Sequence, residues 1–234
     1  MHAPLRILAL DTATTGCSVS LCCGDDVLVH DARDMSRGQA QVLLPMAVEA
    51  LRQAGLAPQD LDAIAITRGP GAFTGLRIGL AAARGLALAL GIPCIGVTTL
   101  EVIAHGVSGQ DRHGKTVLAA VESKREDLYV QTFDDALNPL SKPLAADAPG
   151  LAALVGTAEA VLVVGDGGLR AIDMLRSEGI EAEMSTAAAL PDTRIVATLA
   201  ATRFDAHTKA PAPAPLYLRP PDAKMPKNEG RARP

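Results

Sequence analysis

This sequence predicts an α/β fold of two lobes, each a mixed sheet flanked by helices. Three observations carry the prediction. The first forty or so residues read as strands joined by short turns. From Gln39 the apolar period changes to that of helices, which then alternate with short apolar runs. The second half echoes this order in outline over a smaller length, too faintly to establish a repeat. At 234 residues the chain can enclose two cores.

The elements follow in order. Arg6–Asp11 is a short apolar run. Val19 and Leu21 alternate with Ser18 and Ser20. Gly24-Asp25-Asp26 is a turn, and Val27–Ala32 is a third strand, so the chain opens with an antiparallel meander. From Gln39 to Ala54, apolar residues recur at Ala40, Leu44, Ala47, Val48 and Leu51, one face of a helix. Pro45 predicts a late start or a kink there. Leu61–Thr67 reads as a buried strand and Arg68–Gly75 as a glycine-rich loop. Thr74–Leu90 reads as a long helix capped by Thr74 and stopped by Gly91. Ile92–Val97 is a strand, and Thr98–Val107 a short helix capped by Thr98 or Thr99.

Polar Ser108–Lys115 marks a lobe boundary, giving a first lobe of residues 1–107 and a smaller second lobe of 108–208. The second lobe holds strands at Thr116–Val121, Leu128–Phe133 and Ala160–Val164, a looser stretch over Asp134–Gly156, and a last helix near 193–204 that is free to pack back on the first lobe. The tail, 209–234, begins with Ala-Pro alternation over Lys209–Pro215, which suits an extended linker. Its proline-rich basic remainder, Pro220–Pro234, is expected to be flexible. The tail is therefore expected to be dispensable for folding, Tyr217 and Leu218 being the residues able to pack back on a lobe.

Composition narrows the function. The net charge is −4, and the chain has no Trp, two Tyr and three Phe. A surface that binds nucleic acid by itself usually carries a basic excess and rings for stacking, so any RNA connection is expected to run through a partner. Cys17, Cys22, Cys23 and Cys94 form no C-x-x-C pair and read as free thiols of a reducing compartment. No secretory signal is legible at the start. The apolar stretch Gly85–Val97 is too short to span a bilayer, so a cytoplasmic protein without membrane attachment is expected.

Three motifs could carry chemistry. Asp11-Thr12-Ala13-Thr14-Thr15-Gly16 ends the first strand. Its carboxylate, hydroxyls and backbone N–H groups suit Mg²⁺ or phosphate, or equally a β-turn that satisfies its own backbone. Gly165, Gly167 and Gly168 follow a buried strand and could lie against an adenosine, so Asp11, Thr12, Thr14 and these glycines form a candidate ATP/ADP and Mg²⁺ site in an inter-lobe cleft. The third motif is Arg68–Gly79, a rigid loop or an anion site at a helix N-terminus. Beyond it, Gly75, Gly79, Ala83 and Ala87 make a small-residue stripe beside a second one, Ile78, Ala82, Gly85 and Ala89. That apolar surface is wider than one sheet contact needs, so a protein interface is expected. Its candidate residues are Gln39, Leu43, Met46 and Ala50 on the first helix, and Arg68, Thr74, Gly75, Ile78, Gly79, Ala82 and Gly85 on and before the second.

Ile7–Thr14, Arg68–Gly79, Ile95-Gly96-Val97-Thr98-Thr99-Leu100 and Tyr217-Leu218-Arg219, in that order, resemble the TsaB (YeaZ) family, formerly described as glycoprotease (M22 peptidase) homologues. The resemblance implies an actin-like (ASKHA) protein built of RNase H-like sheets. It further implies a subunit needed for N6-threonylcarbamoyladenosine (t6A) at position 37 of tRNAs reading ANN codons. In that setting it would bind and stabilise the catalytic paralogue TsaD, work with the ATPase TsaE, depend on the product of TsaC, and form a homodimer when alone. Three positions depart from many relatives: Gln39 in place of His, Ala72 in place of Ser, and Glu122 in place of Asp.

Rival functions are weaker. An actin-like ATPase or phosphotransferase, the main alternative, needs a second phosphate loop, and Glu122-Ser123-Lys124-Arg125 is not glycine-rich. Two-metal nuclease chemistry needs converging carboxylates. A metallopeptidase needs a His pair on a helix, and His2, His30, His105, His113 and His207 contain no i, i+4 pair. A partner subunit without catalytic residues or a metal is the resulting expectation.

Overall fold

The computed structural model describes residues 3–205 and 211–219. The expectation for Pro220–Pro234 lies outside them. Two five-stranded sheets make the framework. In the first, β1 (Arg6–Asp11) is central. It pairs antiparallel with β2 (Gly16–Cys23), which pairs with β3 (Asp26–Asp34), and on its other side lie β4 (Ala63–Thr67) and β5 (Cys94–Val97), both parallel. In the second, β6 (Thr116–Glu122) is central, with antiparallel β7 (Leu128–Phe133) and β8 (Leu144–Ala146) to one side. Parallel β9 (Val161–Val164) and β10 (Glu183–Met184) lie to the other. In chain order the two sheets are the same permutation, third-second-first-fourth-fifth, so the faint echo in the sequence is a duplicated topology. This is the two-lobed actin-like architecture, with short outer strands in the second lobe.

Side-chain alternation along β1 feeds two layers. Leu8 and Leu10 meet α1 (Gln39–Ala54) and α2 (Phe73–Leu90), packing with Leu43, Met46, Ala50, Leu80 and Ala83. Ile7 and Ala9 meet α7 (Thr193–Arg203) through Val196, Ala197 and Ala200. In the second lobe, Leu118 and Ala120 face α5 (Ala148–Val155) and α6 (Gly168–Ser177). Val117 and Ala119 face α3 (Thr99–His105) through Leu100, Ile103 and Ala104. A one-turn helix, α4 (Gly109–Arg112), leads from α3 into β6.

The final helix is thus a layer of the first lobe. Ser20 Oγ, 2.8 Å from His30 Nδ1 and 2.7 Å from Thr193 Oγ1, ties its start to β2 and β3. The helix α3, inside the predicted first lobe, is by packing a layer of the second.

Several local expectations are corrected. α1 runs through Pro45 as one helix; it starts after Gly38, which adopts the left-handed conformation. α2 begins at Phe73 with Ala72 as an N-cap that makes no side-chain bond, so Thr74 is not its cap. The loose stretch 134–156 contains β8 and α5, the latter capped by Asp147 through Gly150 N at 3.1 Å. Cys17 and Cys22 are buried, and no disulfide forms among the described residues.

Candidate functional site

A cleft of about 1240 Å³ runs between the lobes. From the first lobe it is walled by the loop after β1, the β3–α1 loop and the start of α2. The β6–β7 turn and Asp166 wall it from the second lobe, and Leu216–Arg219 close one side.

Both loops proposed to hold a nucleotide are engaged within the protein. Asp11 is fully buried; Thr67 Oγ1 donates to its carboxylate, as does Ala13 N at 3.1 Å. Burial outweighs these bonds and pushes its pKa up to about 6. Thr12 is buried, and its hydroxyl donates to Gly75 O at 2.7 Å. Ala13 O accepts from Ala72 N at 2.7 Å. Thr14 lines the cleft, but its Oγ1 is buried without a hydrogen-bond partner among the described residues.

Glycine makes this closure sterically feasible. A Cβ on Gly71 would overlap the Ala13 carbonyl, and one on Gly75 the Thr12 carbonyl. The second lobe repeats the device. A Cβ on Gly165 would overlap the Ala120 carbonyl, and one on Gly167 would lie 2.9 Å from Leu128 Cδ2. One on Gly168 would lie 2.7 Å from Met184 Sδ. These glycines seat helices on central strands. Of the 165–168 turn, only Asp166 lines the cleft. The buried, bonded Asp11 side chain and these close backbone contacts do not fit direct Mg²⁺ or phosphate binding by these loops. Among the described residues, no three His, Cys, Asp or Glu side chains converge on a metal position.

The predicted partner face is corrected in the same way. Gln39, Leu43, Met46 and Ala50 point inward from α1, and Gly75 and Gly79 are the inward face of α2. A Cβ on Gly79 would meet Thr12 Oγ1 and Ile66. Ile78 and Ala82 are half-buried against the core, and Arg68 is half-buried beneath the tail. Thr74 and Gly85 alone of that set are exposed. The outward faces instead carry Leu44, Val48 (66% exposed) and Leu88 (85% exposed). By length and composition α2 could cross a membrane, but its inner face is packed on β4. Leu44 and Val48 were legible in the sequence as an i, i+4 apolar pair on α1.

The tail is also corrected over 211–219. It is extended, but it is held. Leu216 N donates to Arg68 O at 2.7 Å, and Pro213 lies where a Cβ on Gly96 would sit 2.6 Å from it. Tyr217 packs on Phe73 with ring centroids 5.4 Å apart, and Arg77 Nε donates to its hydroxyl at 3.1 Å. Arg219 forms an ion pair with Asp127 on the second lobe. This strap closes one wall of the cleft.

Comparison with known proteins gives a consistent family assignment. The family model described as "TsaD: tRNA N6-adenosine threonylcarbamoyltransferase" matches residues 33–218. The Escherichia coli "tRNA threonylcarbamoyladenosine biosynthesis protein TsaB" is 43% identical over 126 residues, 53% of each chain. The match therefore spans about half the length of that relative. An uncharacterized protein of Mycobacterium tuberculosis is 33% identical over 221 residues, 93% of each chain. A Pseudomonas aeruginosa crystal structure, of an uncharacterized protein similar to peptidase YeaZ, superimposes with a TM-score of 0.77 at 28% identity. That superposition covers 92% of this chain and all of the other.

Proposed function

Because this chain belongs to the TsaB/YeaZ family, we propose that it acts in t6A formation on tRNA as a partner subunit without a catalytic site of its own. It docks on a TsaD-type paralogue through the outward faces of α1 and α2, with TsaE joining the assembly and TsaC supplying the activated threonylcarbamoyl group. Alone, the same face supports a homodimer. The work is cytoplasmic.

One observation carries the reading: beyond Phe73, which faces the cleft, the exposed large aliphatic side chains of α1 and α2 are Leu44, Val48 and Leu88, on their outward faces. Leu88 and Val48 are among the most exposed apolar side chains of the described residues. Leu44 lies one helical turn before Val48, and an apolar hollow opens between the helices, lined by Leu44, Val48, Leu86 and Leu90. Such a surface loses water favourably only when another surface covers it. The closed loops at Asp11 and Gly165 support the absence of catalysis.

The test is co-purification of the full chain with a TsaD-type protein, comparing wild type with Val48→Arg and Leu88→Arg. Both positions are exposed, so the fold should survive. Each variant should lose partner capture by at least about tenfold, since a buried unpaired charge is costly. Undiminished capture by both variants would overturn the docking face. ATP hydrolysis by the chain alone, abolished by Asp11→Ala, would overturn the non-catalytic reading.

A further inference from the structure

The chain has five aromatic residues, and three of them, Phe73, Tyr129 and Tyr217, line the inter-lobe cleft. Such a concentration of scarce rings at one concavity is unlike a core. Phe73 is 48% exposed and Tyr217 41%, although each packs on the other. The Arg77 guanidinium lies 3.5 Å from the Phe73 ring centre and 6.0 Å from that of Tyr217, a cation–π arrangement that holds the pair as a platform.

Charge surrounds the platform. Arg37 in the β3–α1 loop, Arg77 on α2 and Lys124 in the β6–β7 turn line the cleft and are exposed. Among the described residues, none of the three is ion-paired with a carboxylate. Lys124 adopts the left-handed backbone conformation at φ 60, a position that needs local support in a non-glycine residue. The acids of the cleft are restrained. Glu122 accepts from Arg170 Nη1 at 2.8 Å. Asp166 accepts from Glu122 N at 3.0 Å, and burial raises its pKa. The net charge of −4 and the scarcity of rings point to RNA contact through a partner only, but the fold gathers an arginine- and lysine-rich wall and half-exposed rings at one groove, against that expectation.

We infer that the cleft mouth, completed by the C-terminal strap, binds an unpaired nucleotide segment of RNA, with a base on the Phe73–Tyr217 platform and phosphates on Arg37 and Lys124. Stacking on a ring face is open to every unpaired base, and basic residues from both lobes line the same cleft as the ring pair, where backbone phosphates could meet them. A mononucleotide fits less well, because the deep loops that would hold its phosphates are closed by Thr12, Ala13 and the glycine contacts. The choice of RNA rests on the t6A reading; the site itself rests on ring exposure and charge.

The test uses the full chain, alone and with the TsaD-type partner. Fluorescence anisotropy compares a labelled oligoadenylate, a labelled RNA hairpin with an unpaired loop, a fully paired RNA duplex, and AMP as competitor. The unpaired RNAs should bind more tightly than the duplex. Phe73→Ala and Tyr217→Ala should each weaken them by about five- to a hundredfold. Arg37→Glu and Lys124→Glu should weaken binding and flatten its dependence on salt by roughly 0.7–1 in logarithmic slope each. Lys124→Glu sits on an exposed turn and keeps the test valid if a ring variant unfolds.

Equal affinity for duplex, insensitivity to the ring and charge variants, or no saturable binding in either setting would overturn the site. AMP binding at concentrations where unpaired RNA does not bind would make it a mononucleotide pocket. Ring variants that lower partner capture but leave RNA binding intact would make it a protein contact. Val48→Arg should lose the partner yet keep RNA binding by the chain alone, which separates failure of this site from failure of the docking face.

Discussion

Asp11 should make this protein less stable as pH rises through the range where most proteins gain stability. Its carboxyl is fully buried, and its pKa is raised from 3.8 to about 6, first by burial, against the opposing hydrogen bonds from Thr67 and Ala13. The folded state therefore holds this proton more tightly than the unfolded state does. Below pH 3.8 both states are protonated and burial of the ionised form imposes no cost. Between 3.8 and about 6 the unfolded chain releases the proton first, so folding loses ground as pH rises. Above about 6 the full penalty is present, and a shift of about two units corresponds to about 3 kcal/mol. Asp11→Asn keeps an oxygen to accept from Thr67 and Ala13 but cannot ionise. Urea unfolding of both proteins at intervals from pH 4 to 7.5 isolates the effect, because the remaining carboxylates titrate alike in the two. The free-energy difference should move in favour of Asn by about 2–2.5 kcal/mol across the interval, most of it between pH 4 and 6. A difference that stays flat would show that Asp11 is solvated or ionised without cost, and the closed-loop account would fail.

The glycine contacts give a matched pair. Gly71→Ala drives a methyl into the Ala13 carbonyl and should destabilise by more than 3 kcal/mol, whereas Gly85→Ala enters open space on an exposed helix face and should stabilise by roughly 0.5–1 kcal/mol in the same denaturation assay. Truncation after Asp205 removes the strap, so the melting temperature should fall by about 3–8 °C, and Arg219→Ala alone should give a smaller part of that fall. Burial pushes the Cys17, Cys22 and Cys94 thiols up to about 11, so maleimide at pH 7.5 should modify them only after denaturant is added, as read by mass spectrometry.

Periodicity made the first lobe legible. The meander, the α1 and α2 windows and the Thr98 cap, with its Glu101 capping box, all stand where local pattern places them. What failed was direction. Small residues at i, i+4 spacing on α2 satisfy two opposite needs, close approach to a partner helix and close approach to the chain's own β1, and the pattern does not choose between them. Thr12, brought against Gly75 and Gly79 by the β1–β4 pairing, decides for the second. Phe73 and Tyr217 are 144 positions apart in the numbering, so no window could join them. The α5 segment was readable, since Asp147-Ala148-Pro149 is a helix-start pattern, but its eight residues offer too few turns for a clear period.

The duplicated sheets also explain why the boundary near residue 107 does not divide the protein into separable halves. Each lobe ends in a helix that covers the other lobe's sheet: α3 lies on β6 and β7, and α7 on β1 and β2. The two exchanged helices are joined where Arg203 Nη2 donates to Glu101 Oε1 at 2.8 Å. Neither sheet has a complete pair of covering layers from its own half, so a chain cut after Val107 would expose Ile7, Ala9, Ala63 and Ala65 on one face of the first sheet. The exchange fixes the lobes on the side away from the cleft, and the strap fixes them at its mouth through Arg219 and Asp127. A partner seated on α1 and α2 would therefore grip a two-lobed body already closed at both ends. Changes in the cleft would reach the docking face through α2 itself, whose first turn carries Phe73 and whose later turns carry Leu88.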